Sequence, residues 1–219
     1  MFEDKSPAPG SCLVVAPEIE GESTSDKSSC DVTAPVICLY PIDSADEPFL
    51  YRTFASTRAD EMAFTGWSTE QQEAFLRMQY ETQRRAYLMQ IPDAEYWVVR
   101  RDETAVGRLI TDRTPDEIHV VDIALLPEFR AQGIGSTLMA AIMTEATETA
   151  KVVRLHVERF NPALRWYERL GFTVVSSGPI YLEMVWRPCS DGAGEVAAEG
   201  NLVSGSESEV GMTYVNLSD

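Results

Sequence analysis

A short turn in the middle of the chain has a composition suited to anion binding. An apolar strand pattern runs through Pro127 into RAQGIG, residues 130 to 135, and then directly into an apolar-faced helix pattern. Two glycines at the start of a helix after a strand let backbone N–H groups approach an anion, and the helix dipole adds positive potential. A pyrophosphate would fit there. The alternative is a tight turn whose glycines serve geometry alone. The spacing matches neither common nucleotide signature, because Leu138 takes the third position of G-x-G-x-x-G and no G-K-[ST] follows.

The segment HVERFNPALRWYERLGF, residues 156 to 172, carries a second pattern. Asn161 stands at the end of a predicted strand, Tyr167 lies six residues later on the following helix, and Gly171 with Phe172 ends that helix. The alternative for Tyr167 is an aromatic side chain packed on the core face of a short helix.

The R-x-x-G-x-G turn and this second segment together resemble the GCN5-related N-acetyltransferase (GNAT) superfamily, over about residues 36–187. The resemblance implies an enzyme that transfers an acyl group, acetyl by default, from acetyl-CoA as co-substrate to a small-molecule or peptide amine by direct attack in a ternary complex. Two alternatives stay open: transfer of a longer acyl group, and a non-catalytic regulatory module that binds acyl-CoA. A homodimer is also left open.

The resemblance also implies roles for the matching positions. Backbone amides of the turn would hold the pyrophosphate, namely those of Arg130, Ala131, Gln132, Gly133, Ile134, Gly135 and Ser136. The main chain of Ile123, Ala124 and Leu125 would pair with the pantetheine arm like an added strand. Asn161 would hydrogen-bond the pantetheine or the chain at the strand end.

Tyr167 would protonate the departing thiolate, because a phenol is an acid of suitable strength for a thiol of pKa about 8.5. The general base has two candidates. Strand alternation places Arg154, His156 and Glu158 on one face, and His156 is five residues before Asn161, where some relatives carry an acidic base. An imidazole can take a proton near neutral pH, although a structural histidine is the alternative. Asp122 in the neighbouring strand is the second candidate, with an ion-pair role as its alternative.

The elements that position these residues follow from the apolar periodicity. Strands are predicted near 36–42, 96–100, 105–111, 118–126, 152–157, 172–175 and 180–186, and helices near 46–58, 68–90, 133–150 and 161–170. The order β-α-α-β-β-β-α-β-α-β-β predicts an α/β fold with a mixed central sheet and helices on both faces.

Composition sets outer limits on function. The chain has 219 residues and a net charge of −17, which argues against a nucleic-acid partner. The acidic segments 1–35 and 188–219 lack a sustained period and are predicted to be disordered tails around a domain at 36–187. No apolar run approaches a membrane span, and the first residues lack signal-peptide features. Four cysteines without a C-x-x-C pair predict a reducing, cytoplasmic location and no metal site.

Overall fold

The computed structural model describes residues 13–15 and 36–189. Its strands are β1 Leu13–Val15, β2 Ile37–Pro41, β3 Glu95–Arg101, β4 Thr104–Arg113, β5 Glu117–Leu125, β6 Val152–Glu158, β7 Thr173–Ser177 and β8 Tyr181–Trp186. Its α-helices are α1 Glu47–Thr57, α2 Ala59–Ala63, α3 Thr69–Gln90, α4 Ile134–Glu148 and α5 Leu164–Arg169. Short 3₁₀ turns at Ser44–Asp46 and Pro127–Phe129 precede α1 and the turn before α4.

The strands form one mixed sheet in the order β1-β2-β3-β4-β5-β6-β8-β7. Neighbouring strands are antiparallel except for β5 and β6, which are parallel because α4 carries the chain back between them. The predicted order is found from β2 to β8, with the first helical stretch divided into α1 and α2. The α/β class and the mixed sheet are therefore confirmed.

Strand β1 differs from the prediction of a disordered segment over residues 1–35. Leu13 to Val15 pairs antiparallel with Ile37 to Leu39 of β2. The open edge of β2 offers backbone hydrogen bonds, and a short run rich in valine is suited to pairing there. The rest of 1–35, and the segment after residue 189, lie outside the described residues.

Helices pack on both faces of the sheet. The main core joins α4 and α5 to one face, through residues such as Leu138, Met139 and Tyr167 against Val120, Ile123 and Leu155. Helices α1, α2 and α3 cover the other face over β3 to β5 in two smaller clusters. The face of β6 opposite α4 instead carries the partly buried polar residues Arg154, His156 and Glu158. The sheet thus has one apolar face and one face that is polar beyond β5.

Two helix boundaries show how the local sequence determines where a helix begins. Helix α3 begins at Thr69, as the pattern predicts, because Ser68 caps it: the Ser68 hydroxyl accepts a hydrogen bond from the Gln71 N–H, and the Gln71 side chain accepts from the Ser68 N–H. Helix α5 begins at Leu164, later than the predicted 161, because the Asn161 side chain accepts from the Ala163 N–H and forms a turn first.

Helix α3 is the longest of the described helices, with 22 residues. It is amphipathic, with Leu76, Tyr80, Gln83 and Tyr87 buried and many charged residues outside. Neither it nor any other helix in the described part of the chain is both long and apolar enough to cross a membrane.

Candidate active site

Strands β5 and β6 separate before either strand ends. Their parallel pairing runs from Glu117 and Val152 to Val120 and Leu155 and stops there. Strand β5 continues to Leu125 and stays paired with β4, while β6 continues to Glu158 and stays paired with β8. An opening therefore lies between the two strands, and it begins at residues 121 and 156.

A β-bulge stands at the start of this opening. The β4–β5 register shifts between Ile110 and Thr111, which pair with Asp122 and Val120 and leave Val121 as the extra residue. Val121 packs with Tyr87 and Ile110 on the α3 side, whereas Ile123 returns to the main core. The bulge bends β5 and sharpens its twist, as bulges do, which helps to turn its end away from β6.

The free edge of β5 offers backbone groups beside this opening. The Leu126 N–H donates to the Val106 carbonyl across β4. Because backbone groups along an antiparallel strand alternate in direction, Ala124 directs its groups toward β4, and Ile123 and Leu125 direct theirs toward the opening. Of the three predicted residues, Ile123 and Leu125 are thus placed to pair with an added strand, and Ala124 lies between them.

The turn after β5 presents unpaired amides. Gly133 has φ of +77° and Ala131 has φ of +54°, so the chain twice enters the left-handed region. Within the described residues, the amides of Ala131 to Ser136 donate no hydrogen bond, and they lie at the N-terminus of α4. Successive amides beside left-handed residues form a concave anion site, to which the helix dipole adds.

Two polar side chains brace this turn from outside. The side-chain Nε2 of Gln132 donates to the Glu128 carbonyl at 2.7 Å, and its side-chain oxygen accepts from Arg101 at 2.5 Å. The Arg130 guanidinium turns back, and its Nε donates to the Leu125 carbonyl at 3.0 Å. Burial lowers the pKa of Arg130, against the opposing charges of Asp60 and Glu128. Gln132 and Arg130 thus hold the turn with their side chains. The backbone amide of Gln132 stays available for a ligand, whereas that of Arg130 donates to the Pro127 carbonyl at 3.2 Å and, unlike the other predicted amides of the turn, is already paired.

Tyr167 is fully buried in the main core, with an exposed fraction of 0%. Its ring packs edge-on against Phe172, with centroids 5.6 Å apart. Its hydroxyl has no hydrogen-bond partner in the described residues. Burial, and then the negative charge of Asp122, raise the pKa of Tyr167 well above 10. The phenol therefore keeps its proton at neutral pH. The charge of Asp122 acts on the Tyr167 hydroxyl although the two side chains belong to opposite faces of the sheet.

Asn161 shapes the chain where β6 ends. Its side-chain oxygen accepts from the Ala163 N–H at 2.9 Å, and its backbone carbonyl accepts from the Leu164 N–H. Helix α5 is also joined to the start of α4, because the Trp166 indole N–H donates to the Ser136 hydroxyl at 3.3 Å. The two sequence motifs therefore meet beside the opening.

Asp122 forms a buried ion pair. Its Oδ2 lies 2.6 Å from the Arg108 Nη2, and the exposed fractions of Asp122 and Arg108 are 0% and 4%. Burial raises the pKa of Asp122 to about 6, and the Arg108 charge opposes that shift. Arg108 also donates to the Gln83 side chain of α3 at 3.4 Å. This carboxylate is thus held on the α3 side of the sheet, without access to solvent.

His156 meets a second histidine on the polar face of the sheet. Its Nδ1 lies 3.4 Å from the Nε2 of His119 on β5, and the rings are edge-to-face with centroids 5.4 Å apart. Burial, and then the Arg154 charge, lower the pKa of His156. Burial, and then His156, lower the pKa of His119 to about 4. Both imidazoles are therefore neutral at pH 7.

The corner between α1 and α2 reaches across this region. Arg58 at that corner is buried and forms an ion pair with Glu61 at 3.1 Å. Its positive charge lowers the pKa of both Asp122 and Glu158, although burial raises the pKa of each overall. The corner thus places the charged side chains of Arg58 and Glu61 near the opening.

A separate cleft of about 330 Å³ lies between α1, α3 and the sheet. Its lining includes Glu47, Tyr80, Gln83, Tyr96 and Arg108. Of these residues, Arg108 belongs to the ion pair with Asp122, and none is a predicted cofactor residue. This cleft is thus distinct from the opening between β5 and β6.

Sequence reasoning missed two partners, Arg108 and His119. An arginine inside the apolar run AVGRLI signals a charge that needs a buried partner, although the sequence does not name it. His119 alternates with Ile118 and Val120, which predicts the face it occupies but not its neighbour on β6.

Comparison with known proteins identifies the fold and the family. The chain shares its fold with the PaiA N-acetyltransferase of Thermoplasma acidophilum, solved with coenzyme A: TM-score 0.54, 18% identity, 69% of this chain and 98% of that chain covered. The ribosomal-protein-S18-alanine N-acetyltransferase of Escherichia coli also aligns, with TM-score 0.48, 18% identity, and 74% and 99% coverage. The model of the acetyltransferase (GNAT) family matches residues 58–172, more than half of the chain. The chain therefore belongs to the GNAT family of acetyltransferases.

Proposed function

We propose that this protein is an N-acetyltransferase that moves an acetyl group from acetyl-CoA to a primary amine by direct attack in a ternary complex. The proposal is carried by three neighbouring features: unpaired amides at the start of α4, the free edge of β5 and the buried hydroxyl of Tyr167. In an acyl-CoA they would bind the pyrophosphate, pair with the pantetheine arm and protonate the thiolate, in that order. Family membership supports the choice of an acetyl donor.

The co-substrate would be held mainly by backbone. The amides of Ala131 to Ser136 would take the pyrophosphate, and Ile123 and Leu125 would pair with the pantetheine arm. The turn amides and the backbone of Ile123 fit this role because they have no partner among the described residues that would have to be displaced. The Leu125 carbonyl also accepts from the Arg130 Nε at 3.0 Å. Asn161 supports the site by shaping the end of β6, and its side-chain amide N–H₂ can donate to a pantetheine oxygen.

Tyr167 would serve as the general acid. When the amine nitrogen attacks the thioester carbonyl, the C–N bond forms and the C–S bond breaks, and the thiolate takes a proton from the phenol. A raised pKa keeps Tyr167 protonated at neutral pH but makes it a weaker acid, so the phenolate left after the transfer must regain a proton from solvent before the next turnover. The buried Asp122 contributes by its charge, since it is among the causes of this raised pKa.

His156 would serve as the general base. It is neutral at pH 7, only half-buried, and located where the strands part. Asp122 is the weaker candidate because Arg108 and full burial separate it from an incoming amine. A neutral imidazole accepts the proton that the attacking nitrogen loses, and solvent can later remove it.

Turnover decides among the candidate functions. The protein is mixed with acetyl-CoA and a panel of amines, and released thiol is followed by absorbance. We expect thiol release with at least one amine. Coenzyme A binding by calorimetry without release from any amine would support a non-catalytic binding module instead. Faster release from a longer acyl-CoA would favour the alternative donor.

A pair of glycine variants tests the cofactor site. Gly133 and Gly66 both have left-handed φ, +77° and +68°, and an added Cβ would meet nothing within 4 Å at either position. Gly133→Val and Gly66→Val therefore carry a similar backbone strain of about 1–2 kcal/mol. We expect Gly133→Val to weaken coenzyme A binding at least tenfold in calorimetry and Gly66→Val to leave it unchanged. Equal affinities in the two variants would remove the turn from the site.

A further inference from the structure

The two histidines of this chain lie in contact although they are 37 positions apart. The parallel register of Val120 with Leu155 places His119 and His156 on the sheet face opposite α4, beside the opening. The Nδ1 of His156 and the Nε2 of His119 are 3.4 Å apart. This is a long hydrogen bond, of the kind that tightens in many enzymes when substrate binds.

Three of the charged groups around the two rings, Arg154, Glu117 and Glu183, are paired with one another. Arg154 donates from Nε to Glu117 at 2.8 Å and from Nη1 to Glu183 on β8. Asp112 on β4 lies opposite His119, and burial raises the pKa of its carboxyl. Arg154 lowers and Glu117 raises the pKa of both histidines, and burial outweighs these charges. The ring contact is therefore made by two neutral imidazoles.

Only one of the two nitrogens in this contact carries the shared hydrogen. If the Nε2 of His119 donated, His156 would carry its own hydrogen on Nε2 and would have no lone pair left for a substrate proton. If the Nδ1–H of His156 donates to His119, the Nε2 of His156 is a bare acceptor. The second arrangement alone gives His156 a basic nitrogen away from its neighbour.

We propose that His119 is a positioning residue that accepts a hydrogen bond from the Nδ1–H of His156 and so directs the basic Nε2 of His156 toward the amine. This inference rests on the proposed function, in which His156 is the base. On proton transfer the amine N–H bond breaks and an Nε2–H bond forms on His156. The resulting imidazolium still donates from Nδ1 to neutral His119, which spreads its charge without moving the ring.

Nuclear magnetic resonance tests the hydrogen bond without any assay of activity. Because the chain has only two histidines, a ¹⁵N-labelled sample of the full chain gives two sets of ring signals, which His119→Gln assigns. At pH 7.5 we expect the His156 hydrogen on Nδ1 and the His119 hydrogen on its own Nδ1. A His156 hydrogen on Nε2 would overturn the proposal.

Kinetics test the positioning role. His119→Gln keeps an acceptor oxygen, whereas His119→Phe keeps a ring without an acceptor. We expect His119→Phe to lower kcat about tenfold, a part of the 10² to 10⁴ that a general base contributes, with the KM for acetyl-CoA unchanged. His119→Gln should recover most of that loss and retain the acidic limb of the kcat/KM profile. Equal loss in both variants would indicate a structural role and overturn the proposal.

The outcomes separate this inference from the proposed function. If thiol release is normal in His119→Phe and His156→Gln, the positioning role is overturned and the acetyltransferase assignment stands. If no amine releases thiol from the unaltered protein, the proposed function fails, and the ring tautomers measured by resonance then decide the hydrogen bond between His119 and His156 independently.

Discussion

Two ionisable pairs lie on the same side of the sheet, next to the opening between β5 and β6. Arg108 and Asp122 are fully buried beneath α1 and α3, with opposite charges 2.6 Å apart. His119 and His156 are half-buried on the uncovered part of that face, with neutral rings 3.4 Å apart at their nearest nitrogens. Both pairs join neighbouring strands, so their difference lies in the cover above them.

The two pairs show how burial decides which groups can exchange protons. A buried charge without its partner costs several kcal/mol of stability. Asp122 can therefore contribute an electrostatic effect but cannot readily exchange protons. A half-buried neutral imidazole can take and release a proton within the normal pH range. The first pair is therefore suited to structure and electrostatics, and the second to proton transfer.

Removing the Tyr167 hydroxyl should have the largest effect on activity. In Tyr167→Phe the ring still packs against Phe172, so we expect kcat to fall by about 10² to 10⁴ while coenzyme A affinity barely changes. Tyr96→Phe is a matched control, because its buried hydroxyl also has no partner in the described residues and lies at the separate cleft. Similar kcat values for both variants would reduce Tyr167 to a packing residue.

Breaking the buried pair should have the largest effect on stability. We expect Arg108→Met to lower the free energy of unfolding by about 3–5 kcal/mol, because Asp122 is left buried without its partner. The double variant Arg108→Met with Asp122→Asn should recover part of that loss. Glu183→Gln, in the partly exposed Arg154 network, should cost less than about 1 kcal/mol. Urea unfolding curves measure all three, and equal costs would remove the distinction between the regions.

The pH profile of kcat/KM should identify the pair that handles protons. We expect an acidic limb below pH 6.5, since the pKa of His156 is lowered and activity is lost as that ring protonates. His156→Gln should abolish this limb. Retention of the limb in His156→Gln, with its loss in Asp122→Asn, would transfer the role of base to Asp122, whose pKa is raised to about 6.

The smallest effect should be on the pH dependence of stability, where the two pairs act in opposite directions. The raised pKa of Asp122 means that the folded state binds more protons between pH 4 and 6, so stability falls as pH rises there. The lowered pKa of His119 means that the unfolded state binds more protons between pH 4 and 6.5, so stability rises. Asp122→Asn should therefore steepen the rise of melting temperature with pH, and His119→Gln should flatten it. The same slope in both variants would contradict these shifts.

Much of the fold could be predicted from local patterns. The apolar face of α4 and the Ser68 cap of α3 are properties of adjacent residues, and both helices were expected within a few residues of their observed bounds. The division between α1 and α2 and the pairing of β1 with β2 were not expected. The pairing of β1 with β2 depends on contact with a distant part of the chain, which no local period records.

Turn chemistry and side-chain periodicity are local, so the α/β class, the turn with its two glycines and the positions of Asn161 and Tyr167 could be inferred from the sequence. Which side chains meet depends on the folded sheet. Sheet order brings His119 to His156, a bulge leaves Val121 as the extra residue of β5, and the fold buries Asp122 beside Arg108. Desolvation and pairing depend on neighbours from other strands, so the same carboxylate or imidazole acquires its role only after the sheet has formed.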